Sequence, residues 1–169
     1  MKTMKRRTKL AAAALSALLL TALLAAGAMA VTSPDQTRET YVTAVEPICK
    51  KNTKSNEQIL SGVRKTIQKG QLSVAAGKFT KAASAFGGAV KQIKAVPQPT
   101  ADAAKLGKWT KALEDETKLL SDIGKALKAG NKSKAQSLSV QLTRNGNVAN
   151  NAVLGFDFDY CLIDSSRFS

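Results

Sequence analysis

From Tyr41 to Ala152 the apolar residues recur at intervals near 3.6, and turn-forming residues break the pattern into segments. A period of that kind admits amphipathic helices and not strands, whose side chains alternate with a period of two. The first stripe is Tyr41, Val45, Ile48, Ile59, Val63 and Ile67, opened by Ser33-Pro34-Asp35-Gln36 and stopped by Gly70. Ser33 can cap, Pro34 suits the first helical position, and Gln36 can close a capping box. Pro47 lies inside this span and predicts a short helix before it and a long one after. The second stripe runs through Leu72, Ala76, Phe79, Ala83, Phe86, Val90 and Ile93 and ends at Val96-Pro97-Gln98-Pro99. Thr100 then caps a third helix with Asp102 near its positive end, and the stripe is Leu106, Trp109, Leu113, Leu120, Ile123 and Leu127. Gly130 stops it, Asn131 caps the fourth, and Ala135, Leu138, Leu142, Asn145, Ala149 and Ala152 follow. Joints as short as Gly70 and Gly130-Asn131 turn neighbouring helices back on one another. The expected fold is therefore all-α, an up-down-up-down four-helix bundle.

The tail, residues 153–169, departs from this pattern. Phe156, Phe158 and Tyr160 alternate with Asp157, Asp159 and Cys161, which puts aromatics on one face and the acids and the thiol on the other. A lone strand has no partner, so the segment is expected to lie extended on the bundle, tied back by a disulfide. In an up-down bundle the fourth helix ends beside the start of the first, which brings Cys49 and Cys161 to the same end. A bond between them closes a loop of about a hundred residues and contributes up to ~4–5 kcal/mol by chain entropy. Two free thiols or an intermolecular bridge are the alternatives, and the absence of Cys-x-x-Cys argues against a redox role.

The N-terminus decides the compartment. Lys2, Lys5, Arg6, Arg7 and Lys9 precede an apolar run from Leu10 to Ala26, and Ala28-Met29-Ala30 offers small residues for cleavage. Residues 1–30 therefore read as a secretory signal peptide, cleaved near Ala30, with 31–169 as a single helical-bundle domain. A transmembrane anchor is the competing reading. No cysteine follows the apolar run to take a lipid, and Thr8-Lys9-Leu10 fits the twin-arginine route poorly. The expected location is secreted, extracellular or at the cell envelope, where a disulfide persists.

Five of the 26 basic residues lie in the leader and all 12 acidic residues lie beyond it, which leaves a net charge of +9. The remaining basic residues are mostly lysine, which suits diffuse attraction to polyanions better than forked recognition. Lys50, Lys51 and Lys54, with Lys105, Lys108 and Lys111, are the candidate contacts for anionic cell-wall polymers or a membrane surface. Nucleic acid is not expected, because the aromatics lie on buried stripes or in the tail and not among the lysines. Solubility is the plainer account of the same charge.

Absences remove most chemistry. The chain has no histidine, and its three methionines, Met1, Met4 and Met29, all lie in the leader. Haem, transition-metal and His-dependent hydrolase sites lose their usual residues, so no cofactor, no metal and no enzyme activity are expected. Glu114-Asp115-Glu116 is the densest acid cluster. Its side chains point about 100° apart, so it reads as a solvated face with Lys118 pairing to Asp115 or Glu114. Asp157, Asp159 and Asp164 have no EF-type loop around them.

The asparagines are the one feature that packing does not predict. Asn52 and Asn56 fall near the first stripe and Asn145 in the fourth, while Asn147, Asn150 and Asn151 crowd the end of that helix. They form either a polar layer that sets bundle register or a small polar pocket near the disulfide end.

Several local motifs occur together: Tyr41…Glu46-Pro47-Ile48-Cys49…Asn52, Pro97-x-Pro99 leading to Trp109, Gly130-Asn131-Lys132-Ser133, and Asn150-Asn151-Ala152-Val153-Leu154-Gly155-Phe156…Tyr160-Cys161. As a set they resemble small exported helical proteins of actinobacteria with one disulfide. That group has no assigned activity, and the resemblance implies an exported, disulfide-linked helical protein of a Gram-positive envelope with no catalytic residue to transfer. The expected function is a non-enzymatic, monomeric binding or structural protein held electrostatically at the envelope. The alternative is an extracellular carrier of a small ligand, with its polar pocket at Asn52, Asn56 and Asn145.

Overall fold

The computed structural model describes residues 36–164, so the leader, the Ser33-Pro34 helix start and the last residues of the tail lie outside the described residues. The described residues form helices α1 (Arg38–Leu60), α2 (Val63–Gln68), α3 (Leu72–Ala95), α4 (Ala103–Lys128) and α5 (Lys132–Ala152), with a 3-10 turn at Thr100–Asp102 before α4. No helix among them is long and apolar enough to cross a membrane.

The boundaries follow local chemistry, with three departures from expectation. Thr37 caps α1, its side chain accepting from the Thr40 N–H. Pro47 does not divide the helix, which runs through it unbroken. Pro47 and Thr43 are both exposed on one face, so the Thr43 carbonyl that lacks an N–H partner is open to water. The break comes instead at Gly62, where φ is 67°, a left-handed conformation that glycine adopts without a side-chain clash. Third, Thr100 opens a 3-10 turn instead of capping α4, so the cap position falls to Asp102, which makes no capping bond there. Its carboxylate turns to Arg38 of α1 and takes two hydrogen bonds from the guanidinium, at 2.6 and 2.9 Å. A forked, charge-assisted pair of that geometry outweighs a single cap bond. Asn131 caps α5 as expected, accepting from the Lys134 N–H at 2.9 Å.

The four apolar stripes are buried or half-buried along their lengths. α1 packs on α3, α3 on α4 and α4 on α5. The seam between α1 and α5 is filled by the tail. It starts at the α1 N-terminus, where Arg38 donates to the Gly155 carbonyl and lies over the Phe156 ring. Phe158 then stacks on Trp109, centroids 5.3 Å apart. Cys161 bonds to Cys49, halfway along α1 rather than at the end of the bundle. On the other side of the seam the Asn150 side chain grips Ile163 twice, accepting from its N–H at 2.7 Å and donating to its carbonyl at 2.9 Å. Gly146 faces Ile163 so closely that a Cβ there would stand 3.0 Å from it. The aromatic alternation holds through Phe158, but Cys161 turns inward and does not share the exposed face of Asp157 and Asp159.

An extended segment with no strand partner must satisfy its N–H groups elsewhere. Glu46 does this: its carboxylate accepts from the N–H groups of Asp159, Tyr160 and Cys161 at 3.0 to 3.2 Å. Glu46→Ala is expected to destabilise the protein by about 1–3 kcal/mol and to speed amide exchange at Asp159–Cys161. Unchanged exchange there would show that the disulfide alone holds the tail.

Candidate functional site

The apolar spacing of α4 runs Leu106, Trp109, Leu113, Leu120, Ile123, Leu127, and the gap at the middle is occupied by Glu116. Three residues after Leu113 and four before Leu120, it points inward with them. Glu116 is 4% exposed. The solvated face expected for Glu114-Asp115-Glu116 therefore holds for two of the three. Glu114 pairs with Lys94 of α3, and Asp115 pairs with Lys111 rather than Lys118. The same kind of gap in α1, between Cys49 and Leu60, brings Asn56 inward to 2% exposure, with Asn52 half-buried beside it.

These polar residues meet where two apolar clusters adjoin. One cluster surrounds Trp109 and the tail; the other surrounds Leu120, Ile123 and Leu60. Between them is a cavity of about 50 Å³. That is room for about three or four waters. Its walls include Asn52 and Asn56 of α1, Phe86 of α3, Trp109 and Glu116 of α4, and Tyr160 and Asp164 of the tail, with aliphatic side chains between. The Asn56 amide donates to Asn52 Oδ1 at 3.1 Å, but its own Oδ1 has no hydrogen-bond partner. Trp109 Nε1 is likewise buried without one. Buried polar atoms are nearly always paired; among the described residues Tyr41 Oη, away from the cavity, is the third such orphan, and the other two line this one space.

Asn145 does not line the cavity. It stands behind Glu116, donating to Glu116 Oε2 at 3.2 Å and to the Ala112 carbonyl at 2.8 Å. Burial pushes the Glu116 carboxyl up from 4.5 to about 7, and the Asn145 hydrogen bond opposes that rise. No protein family model matches this chain, and no curated protein or solved structure matches it. The site therefore has to be argued from its own geometry.

The raised pKa has a consequence for stability. The folded form keeps its proton to higher pH than the unfolded chain, so stability from this group is full below pH 4.5 and is lost as pH rises to about 7. The whole difference is about 3 kcal/mol. Glu116→Gln is expected to remove that loss and to be more stable than the parent at pH 8. Urea unfolding at pH 4.5 and 8 measures it; equal slopes with pH in both proteins would rule Glu116 out as the source.

The six candidate lysines are all exposed, but they do not form one patch by helix contact: Lys50, Lys51 and Lys54 lie on α1, and Lys105, Lys108 and Lys111 lie on α4. α1 packs on α3, and α4 packs on α3 and α5, with no comparable interface between α1 and α4. Lys50 lies over the Tyr160 ring at 4.8 Å, and Lys111 is engaged by Asp115. Among the described residues no group of three His, Cys, Asp or Glu is placed to hold a metal ion.

Sequence reasoning missed Glu46, Arg38 and Glu116. Glu116 was legible as a polar residue at a core position of the third stripe. Nothing local marked Glu46 or Arg38, whose partners lie more than a hundred and more than sixty residues away.

Proposed function

We propose that this chain is a non-enzymatic, exported protein that carries a small molecule in the cavity beside Glu116. The observation that carries this reading is the cavity with its two orphaned polar atoms, Asn56 Oδ1 and Trp109 Nε1. A register-setting polar layer would pair its members with each other and leave no space. The reading takes the helices as an up-down-up-down bundle, supported by the short joints at Gly70 and Gly130 and the serial packing of α1, α3, α4 and α5. It takes residues 1–30 as a cleaved leader, in keeping with a disulfide that persists in an oxidising compartment and with the likeness to exported actinobacterial proteins.

Trp109 is the single tryptophan and a wall of the cavity, so its fluorescence reports occupancy. Titration with short alcohols and amides is expected to give saturable changes. Asn56→Leu, which keeps the shape of the side chain but removes its polar atoms from the wall, is expected to weaken them about tenfold while leaving the far-UV circular dichroism unchanged. Undiminished binding by Asn56→Leu would put the site elsewhere.

A second reading rests on charge. Exposed Lys51, Lys54, Lys105 and Lys108 would hold the protein near anionic wall polymers. Sedimentation with purified Gram-positive walls is expected to fall steeply as salt rises, because exposed charges are screened within ~10 Å at 0.1 M. Absence of binding at any salt would leave the lysines as a solubility device.

A further inference from the structure

The chain is strongly basic, yet the walls of its cavity are not. Among the described residues that line it there is no lysine and no arginine, while Glu116 and Asp164 both do. The wall offers three acceptors, the Glu116 carboxylate, the orphaned Asn56 Oδ1, and Asn52 Oδ1, which takes one bond and has room for another; Trp109 Nε1 is its orphaned donor. Phe86, Trp109 and Tyr160 contribute aromatic rings, of which Trp109 has one face stacked on Phe158 and Tyr160 already draws the Lys50 ammonium over one face.

We propose that the cavity takes a small primary alkylammonium ion, its head against Glu116 and Asn56 and its short chain against the aromatic and aliphatic wall. The proposal rests on the cavity being a binding site, as argued above. An ammonium has three N–H donors for the three acceptors and leaves only the Trp109 N–H unanswered, as it already is. An anion would meet the buried Glu116 carboxylate with no lysine or arginine beside it among the described lining residues. Above pH 7 a neutral guest would leave an ionised, buried Glu116 without a counter-charge, a costly arrangement that a cation relieves. A hard divalent ion needs about six oxygen ligands, more than this wall assembles. The size of the space limits the guest to about four heavy atoms.

The titratable groups around the cavity are Glu116 from α4 and Tyr160 and Asp164 from the tail. The α1 and α3 walls contribute no titratable group, since Cys49 is held in the disulfide. Asn145 reaches Glu116 from α5 and does not titrate.

The test compares propylammonium chloride with 1-propanol on the oxidised protein, read by Trp109 fluorescence and by calorimetry from pH 5.5 to 8.5. The amine keeps its proton across this range, since alkylamines titrate near 10. Propylammonium affinity is expected to rise about thirtyfold over the range as Glu116 ionises. Propanol affinity is expected to stay below that of the amine at pH 8.5. Glu116→Gln is expected to flatten the amine profile and to weaken the amine at pH 8.5 while still binding propanol, which also shows that the variant folds. Propanol binding without amine binding, or an amine profile unchanged in Glu116→Gln, would overturn the ammonium assignment and leave the carrier reading standing. Binding of neither guest at any pH would overturn both.

Discussion

Breaking the Cys49–Cys161 bond is expected to lower stability by about 4–5 kcal/mol, the largest loss available from one covalent change in this protein. The bond spans 112 residues of sequence, so nearly the whole described fold lies inside the loop it closes. Without it the unfolded chain regains the freedom of that loop. The folded chain also loses the tie that lays the tail into the seam between α1 and α5. The tail would then depend on Arg38, Glu46 and Asn150 and on the stack of Phe158 on Trp109. Thermal unfolding with and without reductant, and of the Cys49→Ala, Cys161→Ala double variant, should show the midpoint fall by roughly 10–20 °C. The cavity should open in the reduced protein, because Tyr160, Leu162 and Ile163 form part of its wall. A fall of under about 1 kcal/mol would mean that the polar contacts hold the tail by themselves.

Trp109→Ala is expected to destabilise the folded state by about 3–5 kcal/mol. The side chain is wholly buried, and it joins α4 to the tail through Phe158. Part of that loss is the stack itself, worth about 0.5–1.5 kcal/mol, and a double-mutant cycle with Phe158→Ala isolates it. Trp109→Phe should lose much less, because Trp109 Nε1 has no partner to forfeit. Denaturant unfolding of the parent, the three variants of the cycle and Trp109→Phe measures all three quantities. A coupling energy near zero would show that the tail aromatics pack independently of Trp109.

How much of this was legible beforehand differs from element to element. The helix ends at Gly70 and Gly130, the Asn131 cap and the inward faces of the stripes follow from local spacing and turn chemistry, and the structure has them. The pairing of the two cysteines followed from their number and from the expected compartment. Pro47 misled, because the effect of a proline depends on whether the carbonyl it strands can reach water, and that is a property of the packed helix. The break at Gly62 was written in Ser61-Gly62 but hidden by the continuous apolar spacing across it. Asn52 and Asn56 were legible as candidates for a pocket, and both line the cavity. Asn145 was legible too, yet it reaches the cavity only through Glu116. Glu116 itself was read as part of a run of neighbouring acids, when its distance from Leu113 and Leu120 was the more telling relation.

The sequence by itself determined the helical class, the number of long helices, the faces they bury and the exclusion of histidine chemistry, because each depends on residue type and spacing within a few turns. Only the tertiary structure decided that the tail fills the seam between α1 and α5, that Glu46 binds three tail N–H groups, and that Glu116, Asn52 and Asn56 surround one space. Those are meetings of residues tens to more than a hundred positions apart. A local pattern can say that a side chain points inward, but what it meets there depends on how the whole chain closes around it.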